Sequence, residues 1–259
     1  MPLAQYFRLV DIQARMLLKA DASKFTLGYL WWFIEPMLWV AMFYVVFNVI
    51  LDSPRSGPDF LVFLATGKLA FIWFSKTVNQ ASNSIVASHG LVARINVPKS
   101  LFPMSAVQES CYKQITIYAL LAVILWFFGY TPTSKWLWMV PVVLVFYLMI
   151  VACSLIGAFL VCMLRDFAKV IPLGMTFLLF SSGIFWDVRE IGDPEKIDIV
   201  LTVNPMAYML DAHRQVLMYG NAPDLNHLLQ IALGSIFLVI VMIGLMRRYS
   251  QLLALKVLT

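Results

Sequence analysis

The chain carries six stretches in which apolar side chains run almost unbroken for 20 residues or more: 27–51, 60–82, 104–129, 136–164, 167–186 and 226–246. A helix rising 1.5 Å per residue needs about 20 such residues to cross roughly 30 Å of hydrocarbon. Lipid offers no hydrogen bonds, so each spanning backbone has to satisfy itself, which favours helices over open strands. The expected fold class is therefore an all-α polytopic membrane protein with six transmembrane helices, and residues 1–259 form a single transmembrane domain. Composition agrees, at 61% hydrophobic and 13% charged, against about 25% charged in soluble domains. An ordinary soluble enzyme, a disordered chain and a disulfide-stapled secreted domain are all excluded.

Orientation follows from the basic residues near span ends. The termini and even-numbered connections hold Arg8, Arg15, Lys19, Lys24, Arg94, Lys99, Arg165, Lys169, Arg247, Arg248 and Lys256. The opposite connections hold Arg55, Lys135, Arg189, Lys196 and Arg214 over a longer total length. Both termini are thus expected in the cytoplasm, with Trp31 and Trp32 at the inner interface and Trp136 and Trp138 at the outer one. The net charge of +5 reads as membrane-flank anchoring, and nucleic acid is not expected as a partner. Residues 1–25 lack the continuous apolar core of a cleavable leader.

Three connecting regions stand out. In residues 3–20, Leu3, Phe7, Val10, Ala14, Leu17 and Leu18 recur at helical spacing opposite Arg8, Asp11, Arg15 and Lys19. That pattern predicts an amphipathic helix lying in the cytoplasmic interface within segment 1–25; a packed soluble helix would give the same stripe. Segment 84–103 contains a short amphipathic helix stopped by Pro98, a cytoplasmic coupling region suited to docking a soluble partner; a helix lying on the membrane surface would give the same pattern. Segment 187–225 is long yet semi-apolar. Asp193-Pro194 and Asn204-Pro205 each pair an N-cap with a proline at the first helical position. Two short helices between two spans suggest a re-entrant periplasmic hairpin; a hairpin lying on the outer surface is the alternative.

The chemistry-bearing residues are few. His89, His213 and His227 are scattered, Cys111, Cys153 and Cys162 sit in apolar runs, and Gly67-Lys68 lacks the rest of a phosphate loop. No catalytic residue, metal site or cofactor is expected in this chain. Charges inside the spans each cost about 2.5–3.5 kcal/mol on insertion scales. They are Glu35 (followed by Pro36), Lys68, Lys76, Glu109 and Lys113, the last two one turn apart and able to neutralise each other. Some of these charges either pair off within the bundle or face a polar conduit. Aromatics load the first span (Trp32, Trp39, Phe43) and the fifth (Phe177, Phe180, Phe185). Such rings pack against lipid, or stack on the C–H faces of sugars.

Several of these residues fall in a familiar order. Residues 28–36 read Gly-Tyr-Leu-Trp-Trp-Phe-Ile-Glu-Pro, and Gly90-Leu91-Val92 leads to Val97-Pro98-Lys99 and Phe102-Pro103. Arg165-Asp166-Phe167 precedes the fifth span, Ser182-Gly183-Ile184-Phe185-Trp186 ends it, and Asn204-Pro205-Met206 follows. Over essentially its full length the chain resembles the membrane subunit of ABC-2 type polysaccharide exporters, which move O-antigen or capsule chains. The resemblance implies a homodimer in the bacterial inner membrane, joined by two nucleotide-binding ATPase subunits that hold the ATP and Mg. It also implies a lipid-linked polysaccharide as cargo, moved from cytoplasm to periplasm. By that likeness Trp32, Glu35, Trp39, Phe43, Lys68, Phe177, Phe180 and Phe185 line the translocation pathway. Arg8, Arg15, Leu91, Arg94, Lys99, Arg165 and Asp166 face the ATPase, and Pro194, Asn204, Pro205 and Met209 belong to an outer gate. Competing expectations are an ABC-2 permease for a small hydrophobic compound, a membrane-embedded lipid-processing enzyme, and a stand-alone channel.

Overall fold

The computed structural model describes residues 2–50, 58–94 and 97–258. Helix makes up 85% of it, and no strand occurs among the described residues. The order is α1 (Leu3–Ala22), α2 (Trp31–Tyr44), α3 (Pro58–Ala87), α4 (His89–Arg94), α5 (Leu101–Phe127) and α6 (Met139–Met163). Then follow α7 (Phe167–Ser181), α8 (Pro194–Val203), α9 (Pro205–Leu217), α10 (Leu225–Arg248) and α11 (Ser250–Leu258).

Four helical stretches are long and apolar enough to cross a membrane: Asp59–Ala87, Leu101–Phe127, Ser134–Met163 and Leu225–Arg248. They correspond to the second, third, fourth and sixth expected spans, with ends shifted by a few residues. The first expected span is built differently. α2 keeps Pro36 inside it and then widens to π geometry over Val45–Ile50; residues 51–57 lie outside the described residues. The fifth is shorter than expected. α7 has 15 residues, a rise of about 22 Å, because Gly183 takes φ +72° and turns the chain before Trp186.

Helix α3 is the central post, packed on α2, α5, α6, α7 and α9. It meets α6 closely at Gly157, where a Cβ would lie 2.0 Å from Ser82 Oγ. Small residues at such crossings let backbones come together where lipid supplies no hydrophobic drive. α10 seals the other side of α6, and the C-terminal α11, which periodicity did not single out, folds back onto α4 and α6.

Helix α1 packs along α5. Val10 and Ala14 are buried as the stripe predicts, whereas Leu3 and Phe7 stay exposed. Polar bonds complete the docking: Tyr6 Oη to Ser100 Oγ at 3.1 Å, Ser105 Oγ to Gln13 Oε1 at 3.2 Å, and Tyr112 Oη to Asp11.

The two short helices expected in 187–225 are α8 and α9. Every α9 residue from Met206 to Leu217 is buried, although Asp211, His213, Arg214 and Gln215 are among them. α8 carries an exposed outer side and stacks on α9. Both helices begin as the sequence predicts. The Asp193 side chain accepts from Glu195 N at 3.2 Å, and Asn204 Oδ1 accepts from Met206 N at 3.1 Å and Ala207 N at 3.2 Å.

Candidate functional site

Residues 32, 35, 39 and 43 recur every three or four positions, which places them along one side of α2. The upper half of that stripe meets α3 and the turn after α7. Trp39 and Phe43 stack with centroids 6.0 Å apart, Phe43 lies 4.9 Å from Phe185, and Phe185 lies 5.7 Å from Phe180. Into this row projects Lys68 from α3. Its ammonium is 5.0 Å from the Trp39 ring centroid, 4.8 Å from Phe43 and 5.8 Å from Phe71. The side chain is 6% exposed, and no ion pair to Lys68 occurs among the described residues. A cation faced by aromatic rings is attracted to their quadrupoles by about 2 kcal/mol when desolvated, which offsets part of the burial cost and leaves the charge itself uncompensated.

The lower half of the stripe enters a different setting. Trp32, Glu35 and Pro36 line a cleft of about 110 Å³ together with residues of α1, α3 and α5. Glu35 Oε1 pairs with Lys76 Nζ at 2.5 Å. Lys113 Nζ bridges Glu109 Oε1 and Asp21 Oδ2, both at 2.7 Å, and Glu109 Oε2 accepts from Gln80 Nε2 at 2.6 Å. The Glu109–Lys113 pair is as expected one turn apart, and Asp21 from α1 is its unanticipated third member. Burial pushes the Asp21 carboxyl up, but Lys113 outweighs this and leaves it below the ordinary aspartate range.

The remaining pathway residue, Phe177, is 72% exposed on α7 and outside the ring row. The residues expected to face an ATPase divide. Arg8, Leu91, Arg165 and Asp166 are exposed, and Arg15 is exposed while pairing with Asp11 at 3.0 Å. Lys99 is only 4% exposed, lies beside Arg247 and Ser250, and is held below the ordinary lysine value by burial. Arg94 ends α4, and its side chain lies outside the described residues, as do residues 95 and 96 of the helix expected to run to Pro98.

Of the outer group, Pro194 and Pro205 are exposed at the first turns of α8 and α9, and Met209 is fully buried. Asn204 does more than cap: its Nδ2 donates to Ser181 O at 3.3 Å and Ser182 Oγ at 3.1 Å, tying α9 to the end of α7. Two arginines placed among loop cations by sequence reasoning turn out to hold the hairpin. Arg189 forms a bidentate pair with Asp211 at 2.9 and 2.7 Å. The Arg214 guanidinium lies 3.5 Å over the Phe63 ring and donates to the carbonyls of Gly183 at 2.6 Å, Ile184 at 3.2 Å and Phe63 at 3.4 Å. The signal for this was the run Asp211, His213, Arg214, Gln215 inside a capped helix whose other residues are apolar. Among the described residues no cluster of His, Cys, Asp and Glu could hold a metal ion.

The geometry thus offers an aromatic row around an isolated ammonium, and beneath it a charged cleft. Neither contains a nucleophile with its base. The model of the family described as ABC-2 type transporter matches residues 13–218. The chain is similar to a protein called O-antigen export system permease protein RfbA from Klebsiella pneumoniae, 26% identical, with 84% of this chain and 83% of that one covered. A protein of the same name from Myxococcus xanthus is 25% identical, covering 91% and 90%. The Polysialic acid transport protein KpsM of Escherichia coli is 26% identical, covering 88% and 90%. With the family's model extending over most of its length, and relatives named as export permeases aligned nearly end to end, this chain belongs to the ABC-2 type transporter family.

Proposed function

We propose that the chain is the membrane-spanning subunit of an ATP-driven exporter that moves a lipid-linked polysaccharide, O-antigen or capsule, from cytoplasm to periplasm. The observation that carries this reading is the uncompensated ammonium of Lys68 set among Trp39, Phe43 and Phe71. An anchor phosphate would neutralise that charge, and the adjoining rings offer stacking faces to the sugars behind it. The names of the relatives point to the same cargo class. Two copies pair with the exposed aromatics of α7 turned inward, and six spans result when Trp31–Ile50 counts as the first and α7 with its following turn as the fifth. Buried α9, with α8 over it, is a re-entrant hairpin closing the outer mouth.

On this reading the work comes from a separate ATPase that binds ATP and Mg and presses on α1, α4 and the α6–α7 turn. Its conformations shift the permease only as far as they bind it differently. A long chain slides past many weak stacking sites, whereas tight binding at any one would stall it, as in ion conduction.

The test is purification of the tagged chain from its host membranes in mild detergent. The reading expects an ATP-hydrolysing subunit and a glycolipid to co-purify. Lys68→Met should lose most of the glycolipid while ATP hydrolysis persists; no ATPase companion, or glycolipid retained at wild-type level by Lys68→Met, overturns it.

A further inference from the structure

Each cation described inside the bundle has a partner in the fold. Lys76 and Lys113 pair with carboxylates, Arg189 with Asp211, Arg214 with carbonyls and a ring, and Lys68 with rings. Lys99 differs. It is 4% exposed, and no ion pair, hydrogen bond or facing ring for its ammonium occurs among the described residues. A buried charge is costly unless it is paired, so this ammonium points to a counterion that the chain itself does not bring.

The surroundings say what kind of anion fits. Lys99 lines a pocket of about 290 Å³ shared with Ser100, Arg247 and Ser250, and no carboxylate lies in its described lining. The ionisable groups set against the two cations are a thiol and a phenol. Cys162 Sγ donates to Leu253 O at 3.5 Å, and Tyr6 Oη lies 3.1 Å from Ser100 Oγ. Ser100 is also the residue before α5, whose first turn has no side-chain cap, so the positive end of that helix adds to the field. Donors thus converge from residues 97–100, the end of α10 and the start of α11. A carboxylate offers two oxygens to such a set, whereas a phosphate offers three or four. The volume is many times the roughly 10–15 Å³ that one water needs, so a phosphate and the carbon of an ester fit together.

Depth agrees with that chemistry. Leu101 opens one membrane-length stretch and Arg248 closes another, so the pocket lies where two spans leave the hydrocarbon. Headgroup phosphates lie at this level, and basic pockets between span ends are where anionic headgroups settle. On the orientation that the flank charges favour, the leaflet is the cytoplasmic one.

We propose that this pocket binds a phosphate group, with Lys99 as its buried charge partner and Arg247 as its exposed one. An anionic phospholipid headgroup and free phosphate both carry that chemistry. Either would tie residues 97–100 to the junction of α10 and α11. The proposal goes beyond the exporter reading and stands without it, since it involves neither Lys68 nor the cargo.

The experiment uses the full chain, purified in mild detergent and washed free of lipid. Sodium phosphate is titrated against sodium chloride of equal ionic strength while Tm is followed. Native mass spectrometry then counts retained phosphatidylglycerol against phosphatidylcholine. At least one probe is expected to bind and raise Tm, with affinity falling tenfold or more in Lys99→Met and in Arg247→Gln and recovering in Lys99→Arg. Lys99→Met removes an uncompensated buried charge and should fold at least as stably as the unliganded wild type; Arg247→Gln alters an exposed side chain. Phosphatidylglycerol that free phosphate does not displace assigns the site to lipid. Phosphate binding that phosphatidylglycerol does not weaken assigns it to the free ion. Equal responses to phosphate and chloride with no preference for phosphatidylglycerol, or binding unchanged in both variants, overturns the proposal. So does a Lys99→Met protein that keeps both probes yet loses a co-purifying ATPase, which would make Lys99 a docking contact instead.

Discussion

Arg214 donates to carbonyls from two elements while lying flat on Phe63, and it fits because position 67 is glycine. A Cβ there would come 2.4 Å from Arg214 Nη2. Gly67→Ala is therefore expected to cost about 1–3 kcal/mol, the usual penalty of overpacking, read as a lowered Tm of the detergent-solubilised protein. In an Arg214→Ala background the same change should cost little, since the atoms it collides with are gone; additive effects in that double-mutant cycle would deny the contact. Lys68 was legible in the sequence because a lone lysine in an apolar run has few bland explanations. Arg214 was not, because it lay in a segment read as a connection between spans.

Helix starts are where the sequence spoke most clearly among the elements. Asn204 both caps α9 and holds the end of α7, so Asn204→Ala should cost more than the typical 1 kcal/mol or so of a lost cap. Asn204→Asp, which keeps the cap and loses the Nδ2 bonds to Ser181 and Ser182, should fall between; thermal melts of the two variants check the order. The α10 start depends on pH. Asp224 accepts from His227 Nδ1 at 2.8 Å and from Asn226 N at 2.9 Å, and the His227 bond is the chief cause holding its carboxyl below the ordinary value. A depressed carboxyl stabilises the fold fully above its unfolded value and loses that contribution as pH falls through the folded one. Exchange protection at 225–228 should therefore drop below about pH 4, where aspartates ordinarily protonate, and Asp224→Ala should remove the pH step. Element lengths were harder to read than starts. The fifth apolar run continues to Trp186, yet the left-handed Gly183 ends the helix earlier, and the full burial of α9 was not legible because its polar residues read as an exposed face.

At the scale of the molecule, the exposed aromatics separate two surroundings. Phe177 and Phe180 protrude from α7, and on the proposed pairing they face a hydrated pathway rather than acyl chains. Phe177→Lys should then insert and accumulate normally while slowing glycan export. A lipid-facing site would instead resist the charge by about 2.5–3.5 kcal/mol and show it as reduced membrane insertion. The architecture of packed apolar helices was readable from the runs themselves. The proposed pairing with a second copy leaves no periodic trace, because rings that stack on cargo and rings that touch lipid have the same hydropathy.

The clasp of Arg214 on Gly183 and Ile184, joined by the Asn204 bonds to Ser181 and Ser182, gives α9 no freedom of its own. If the hairpin gates the outer mouth as proposed, α9 and the end of α7 travel as one piece, so a spectroscopic label on either should report the same motion at the same rate.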